Sequence, residues 1–163
     1  MPHAGPPVYL RSATAADQPA ITALVRNAGI NPMKLDWYRF VVADEGGRVV
    51  GTGQVKTHSD GAREVASIAV VPERRGQGIG RAIVATLVSL QPAPLYLCCG
   101  GHNESYYRQF GFAPLSPAAM PRSLRRIHRI GNTLLYLVSL LTRQRERLVV
   151  MGQDIPDFLQ QHV

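Results

Sequence analysis

The sequence predicts a mixed α/β (α+β) single domain, in which a mostly antiparallel mixed sheet is flanked by helices and a helical insertion precedes the last strand. Three observations lead there. Apolar positions switch between period two and period 3.6 in the order β-α-β-β-β-α-β-α, followed by helical material and a final strand. Two turn signals, Asp44-Glu45-Gly46-Gly47 and Ser59-Asp60-Gly61, separate three successive strand-like runs, as in an antiparallel meander. A glycine-rich loop then joins the third of these strands directly to a helix.

Taken in order, residues 1–7 hold three prolines and a glycine and read as a loose lead-in. Val8 to Arg11 is a short strand. Thr14 opens a helix, with Asp17 three residues on in the manner of a capping box. Pro19 falls within the first turns, where a missing N–H is tolerated. Ile21, Leu24, Val25 and Ala28 supply the apolar stripe, and Gly29 the stop. Arg39 to Ala43, Arg48 to Thr57 and Glu64 to Val71 form the meander. A helix from Ile79 to Leu90 follows, ended by Pro92 and Pro94, and the apolar run Leu95 to Cys99 reads as a buried strand. Asn103 is placed to cap a short helix through Phe110, with Gly111 as its C-terminal residue. Between residues 117 and 147 Leu124, Ile127, Leu134, Leu135, Val138 and Leu141 recur at helical spacing, and Gly131-Asn132 predicts a break into two helical pieces. Leu148 to Met151 is the last strand, and residues 153–163 read as a tail.

A chain of 163 residues accommodates one core, and 45% hydrophobic with 18% charged residues is a globular composition. The apolar run Leu134 to Leu141 is interrupted by Tyr136 and Ser139 and is far shorter than the roughly 20 residues a membrane span needs. No charged start followed by an apolar stretch marks a secretory signal at the N-terminus. Cys98 and Cys99 are adjacent, which excludes an ordinary disulfide framework and fits reduced thiols in a cytoplasmic protein. His3, His58, His102, His128 and His162 have no metal-ligand spacing, so no metal is expected.

The net charge of +7 would suit nucleic acid, an anionic membrane or a polyanionic cofactor. Much of the excess lies in Arg122, Arg125, Arg126 and Arg129, and then in Arg143, Arg145 and Arg147. Aromatic residues do not interleave with them as they do in single-strand binders, so a solvated helix face is the expectation rather than a nucleic-acid site.

The segment Arg75-Gly76-Gln77-Gly78-Ile79-Gly80 carries the chemistry. A helix start has N–H groups without intrahelical partners and the positive end of the dipole, which suits a phosphate. Glycines remove the side chains that would hold an anion off those amides. A Walker A loop would end in Gly-Lys-Ser/Thr, whereas Gly80-Arg81-Ala82 stands here; the dinucleotide fingerprint needs GxGxxG, whereas Gly76, Gly78 and Gly80 give GxGxG. The loop instead resembles motif A of the GNAT superfamily of N-acetyltransferases, Q/R-x-x-G-x-G/A, at Arg75, Gly78 and Gly80, after Pro72. The stretch Tyr106-Tyr107-Arg108-Gln109-Phe110-Gly111-Phe112 is similar to the family's later F-Y-x-x-x-G-F, with Tyr106 in place of Phe. The resemblance covers the chain from Val8 to Phe112, about two-thirds of it.

The resemblance implies an acetyl-CoA-dependent N-acetyltransferase that moves an acetyl group from CoA, the acyl donor co-substrate, to a primary amine of a small molecule or protein in a ternary complex. It implies that Ile68, Ala69 and Val70 face pantetheine and that Arg75, Gly76, Gln77, Gly78, Ile79, Gly80 and Arg81 hold the pyrophosphate. Asn103 would lie near the far end of the arm. It makes Tyr107 the general acid for the leaving thiolate, a role that a phenol of pKa about 10 can fill. Glu64 is the candidate base, placed by alternation on the face of Ala66, Ile68 and Val70. His58, which shares a polar strand face with Gln54 and Lys56, is the second. Asp36-Trp37-Tyr38 lies where this family shapes its acceptor pocket and would suit an amine cation. The arginine-rich insertion is read as a cap on the acceptor site or a homodimer face rather than a membrane surface, because Gly131-Asn132 divides its apolar side. The alternative functions are a non-catalytic acyl-CoA-sensing module and a basic nucleic-acid-binding protein.

Overall fold

A computed structural model of the protein describes residues 7–142 and 145–154. The expected lead-in at residues 1–6, Arg143, His3, His162 and the tail from residue 155 onward lie outside the described residues. Among the described residues the fold is mixed α/β: seven strands, mostly antiparallel, flanked by helices. The chain clusters into two compact units, one built from residues up to Lys56 with Val65–Leu90, the other from Thr57–Glu64 with residues from Gln91 onward.

The first unit contains β1 (Val8–Ser12), α1 (Gln18–Asn27), β2 (Phe40–Glu45), β3 (Arg48–Thr57), most of β4 (Arg63–Val70) and α2 (Ile79–Leu90). Its strands run in the order β1-β2-β3-β4. Glu45 pairs with Arg48, so the β2–β3 turn is Gly46-Gly47, at φ +61° and +89°. Two successive left-handed residues make the type I′ turn that matches strand twist. Gly29, at φ +68°, ends α1 as expected.

Apolar residues cover both sides of this sheet. Ile21 and Val25 of α1 pack on Ala13, Phe40, Val42 and Val49. On the other side α2 lies so near β3 that a Cβ on Gly53 would sit 2.5 Å from Ile83 Cγ2 and 2.7 Å from Ile68 Cδ1. An ion-pair cluster locks the N-terminal strand. Arg11 donates to both oxygens of Asp17, at 2.7 and 2.9 Å, and through Nε to Asp44 at 2.9 Å. Asp17 also accepts from the backbone N–H and hydroxyl of Thr14, which gives the predicted capping pair a second function. The Arg11 guanidinium holds the Asp17 carboxyl well below the usual carboxylate range.

The second unit contains β5 (Leu95–Gly100), α3 (Glu104–Arg108), β6 (Ala113–Pro114), α4 (Arg122–Thr142) and β7 (Leu148–Gln153), with strand order β5-β7-β6. Both pairings are antiparallel, Cys98 opposite Val150 and Ala113 opposite Gly152. Leu124 of α4 is buried with Tyr96, Met120 and Val150.

The insertion corrects the expectation of two helical pieces: α4 is one continuous helix of 21 residues through Gly131 and Asn132. Packing against β7 explains both residues. A Cβ on Gly131 would stand 2.8 Å from Leu148 Cδ2. Asn132 donates its Nδ2 to the Leu148 carbonyl at 2.9 Å and accepts the Leu148 N–H on Oδ1 at 2.8 Å. The side chain that would compete with the helix backbone is thus committed to another strand.

Candidate active site

In the first unit, β4 leads through Val71 into a 3₁₀ turn at Pro72–Arg74 and then the glycine loop. Gly76 and Gly78 adopt φ +74° and +82°, and among the described residues nothing lies within 4 Å of where their Cβ atoms would be. The first helical bond runs from Ala82 N–H to the Gly78 carbonyl at 2.9 Å, so the amides of Ile79, Gly80 and Arg81 precede the hydrogen-bonded ladder. The loop is braced from behind. Arg74 pairs with Glu45 at 2.6 Å, Glu73 with Arg48, and Gln77 donates to the Glu73 carbonyl. Arg75 donates Nε to the Val70 carbonyl at 3.0 Å, which fixes its exposed guanidinium beside the end of β4. Arg81 is exposed on the first turn of α2. A groove of about 530 Å³, lined by Ala20, Leu24, Val70, Val71, Pro72 and Arg75, opens beside this loop.

Ile68, Ala69 and Val70 all lie on β4, with Ala69 buried and the other two half-buried. Just before them the strand carries a feature the sequence reading missed: Ser67, at φ +57°. Its left-handed backbone is held by buried polar partners. Thr52 donates to the Ser67 carbonyl at 3.1 Å, and Gln54 Nε2 donates to Ser67 Oγ at 2.9 Å and to the Lys34 carbonyl at 3.1 Å. Gln54 is completely buried, yet among the described residues its Oε1 has no hydrogen-bond partner. The only signal in the sequence was the run of polar residues Thr52, Gln54 and Lys56 in an otherwise buried strand.

In the second unit the two candidate bases meet. His58 Nε2 stands 2.7 Å from Glu64 Oε2, and both side chains are largely shielded from solvent. An imidazole whose Nε2–H points at a carboxylate has Nδ1 left as its acceptor. Tyr107 lies on α3, half-buried, with its ring edge-on to Tyr106 at 5.0 Å between centroids. Burial, with smaller contributions from Cys99 and Tyr106, pushes its phenol up to about 12. Asn103 precedes α3, but its side chain makes no capping hydrogen bond; its αR backbone continues a 3₁₀ turn, so the expected cap is absent. The helix also stops at Arg108 rather than at Phe110, and Gly111 at φ +84° ends the turn that follows.

Cys99 is buried, and burial pushes its thiol up to about 11, opposite to what a nucleophilic cysteine needs. The Asp36-Trp37-Tyr38 set already faces a cation of its own, since Arg39 pairs with Asp36 at 3.4 Å and lies 5.3 Å from the Tyr38 ring centre. Among the described residues no group of three His, Cys, Asp or Glu could hold a metal ion.

Residues 36–114, which include the loop, β4 and α3, match the model of the acetyltransferase (GNAT) domain. Over that stretch, 79 of the 163 residues, the chain is similar to a GNAT acetyltransferase domain. Solved structures with the same fold include N-acetylglutamate synthase from Neisseria gonorrhoeae complexed with coenzyme A and N-acetyl-glutamate, at TM-score 0.68 and 20% identity over 91% of this chain. The chain spans about a third (35%) of that protein's length. The Mycobacterium tuberculosis protein Rv2747, solved with CoA, gives TM-score 0.65 and 23% identity over 89% of this chain and 98% of its own. The ribosomal-protein-S18-alanine N-acetyltransferase of Escherichia coli gives TM-score 0.63 and 19% identity over 91% of this chain and 94% of its own. No curated protein sequence matches the chain. At these identities the neighbours show the fold alone.

Proposed function

We propose that the protein is an acetyl-CoA-dependent N-acetyltransferase that acetylates a primary amine of a small molecule or protein by direct transfer in a ternary complex. The observation that carries this reading is the loop. Gly76 and Gly78, left-handed and open above, present the first amides of α2 with Arg75 and Arg81 beside them. Such a cradle fits a pyrophosphate. Ile68, Ala69 and Val70 would offer their strand to the pantetheine arm, and Asn103 its amide near the far end.

Acetyl-CoA supplies an activated thioester when bound. The chain's own residues handle the protons. His58 Nδ1, with Nε2 oriented by Glu64, accepts a proton from the attacking amine. Tyr107 Oη gives its proton to the leaving sulfur, and its raised pKa keeps that proton in place at neutral pH. Glu64 then acts as a positioning residue through His58 rather than as the base itself.

The similar structures include an N-acetylglutamate synthase and a ribosomal-protein-S18-alanine N-acetyltransferase, so an acceptor panel should hold amino acids and peptides with free N-termini. Thiol release from acetyl-CoA across that panel is the test. Turnover with at least one amine is expected; CoA binding without turnover for every acceptor would favour a sensing module instead. Arg75→Ala is expected to weaken CoA binding roughly tenfold, the worth of one charge-assisted phosphate contact.

A further inference from the structure

Among the described residues nothing covers an exposed apolar sector of α4. Ile127, Ile130, Leu134, Leu137, Val138 and Leu141 form one stripe along the helix and range from 39% exposed at Ile127 to 88% at Leu141. The helix cannot roll to bury it. Leu124 is sunk among Tyr96, Met120 and Val150, and Asn132 is clamped to both backbone groups of Leu148. At about 100° per residue, these anchors fix the stripe roughly a third of a turn away from the inner side.

The next sector of the helix carries Arg122, Arg126 and Arg129, all exposed. The fourth arginine, Arg125, is engaged with the carbonyls of Ala118 and Met120. No Asp or Glu occurs anywhere in α4. An apolar stripe bordered by a row of arginines with no acid between them is the pattern of a helix that lies in the plane of an anionic lipid surface. We propose that α4 docks this protein on anionic bilayers, with the stripe among the upper acyl chains and the three arginines on the headgroup phosphates.

The spacing Ile127, Ile130, Leu134, Leu137, Leu141 would also fit another helix, but two observations disfavour a second copy of this chain. A second α4 would add four more arginines and no counter-charge. A two-helix seam would also leave Tyr136 and Leu140, each 64% exposed, outside it on the arginine side. A lipid surface covers the stripe and supplies the missing negative charge. The predicted break at Gly131-Asn132 that argued against this reading does not exist in the helix. Among the described residues no helix is long and apolar enough to cross a membrane, so α4 would lie on the surface rather than span it.

The test is co-sedimentation of the full chain with phosphatidylcholine vesicles, with and without phosphatidylglycerol. Binding to the anionic vesicles alone, weakened by salt, is expected. Replacing Arg122, Arg126 and Arg129 together by Gln should weaken it roughly a hundredfold, at about 1 kcal/mol for each cation near the surface. Leu134→Asp with Leu137→Asp should abolish it while leaving the circular dichroism spectrum and thiol release unchanged. Absence of binding, equal binding to neutral vesicles, or binding that survives the double Asp variant would overturn the proposal. So would a dimer in sedimentation velocity that the same substitutions dissociate, if no vesicle binding accompanies it.

Discussion

At the scale of single residues, Tyr107 has the clearest consequence. Its folded phenol stands at about 12, above the reference of about 10, because burial disfavours the phenolate. A group raised in this way stays protonated as pH climbs, and its contribution to stability is lost only between about pH 10 and the folded value. Thiol release should therefore hold through pH 10 without a decline from Tyr107 ionisation. Tyr107→Phe should lower kcat by about a hundredfold or more, the usual worth of a general acid, with CoA affinity nearly unchanged. A pH–rate profile beside a CoA titration checks both. Tyr107 is a candidate from the sequence because the stretch around it resembles the family motif. The pairing of His58 with Glu64 is not legible there, because the two are six residues apart across a turn and only the folded hairpin brings their side chains together.

At the scale of elements, two positions show how side chains decide where helices sit. Gly53→Ala pushes a methyl into Ile83 and Ile68 and should destabilise the protein by about 1–3 kcal/mol, the range for overpacked cores, seen as a lower urea midpoint at constant m. Asn132→Ala removes two hydrogen bonds to Leu148 at a half-buried site and should cost about 1–3 kcal/mol in the same measurement. The strands and the first two helices could be read closely from periodicity and turn chemistry; α2 begins at Ile79 and ends at Leu90, as the spacing predicts. The long helix could not. Gly and Asn in sequence signal a break, and only β7 supplies the partners that turn them into packing residues.

At the scale of the whole chain, the balance of charge governs behaviour in acid. Asp17 is held well below the ordinary carboxylate range chiefly by Arg11, so its stabilising contribution is present above about pH 4 and is lost as pH falls toward the folded value. Melting temperatures between neutral and strongly acid pH should fall with acidification. Asp17→Asn should flatten that slope while lowering the neutral-pH value; an unchanged slope would show that other carboxylates set it. The excess of +7 is spread unevenly, and α4 alone holds four arginines without an acid.

The sequence by itself determined the order of the elements from β1 to α3 and the turns between them, and it singled out the glycine loop. Each of these is written in residues close along the chain, where backbone geometry and local hydrogen bonding decide the outcome. Tertiary structure alone decided that Arg11 answers to both Asp17 and Asp44, that Ser67 takes a left-handed backbone over Gln54, and that α4 runs unbroken with an apolar stripe facing outward. These depend on partners supplied by other strands, and a one-dimensional pattern carries no record of which strand will stand opposite.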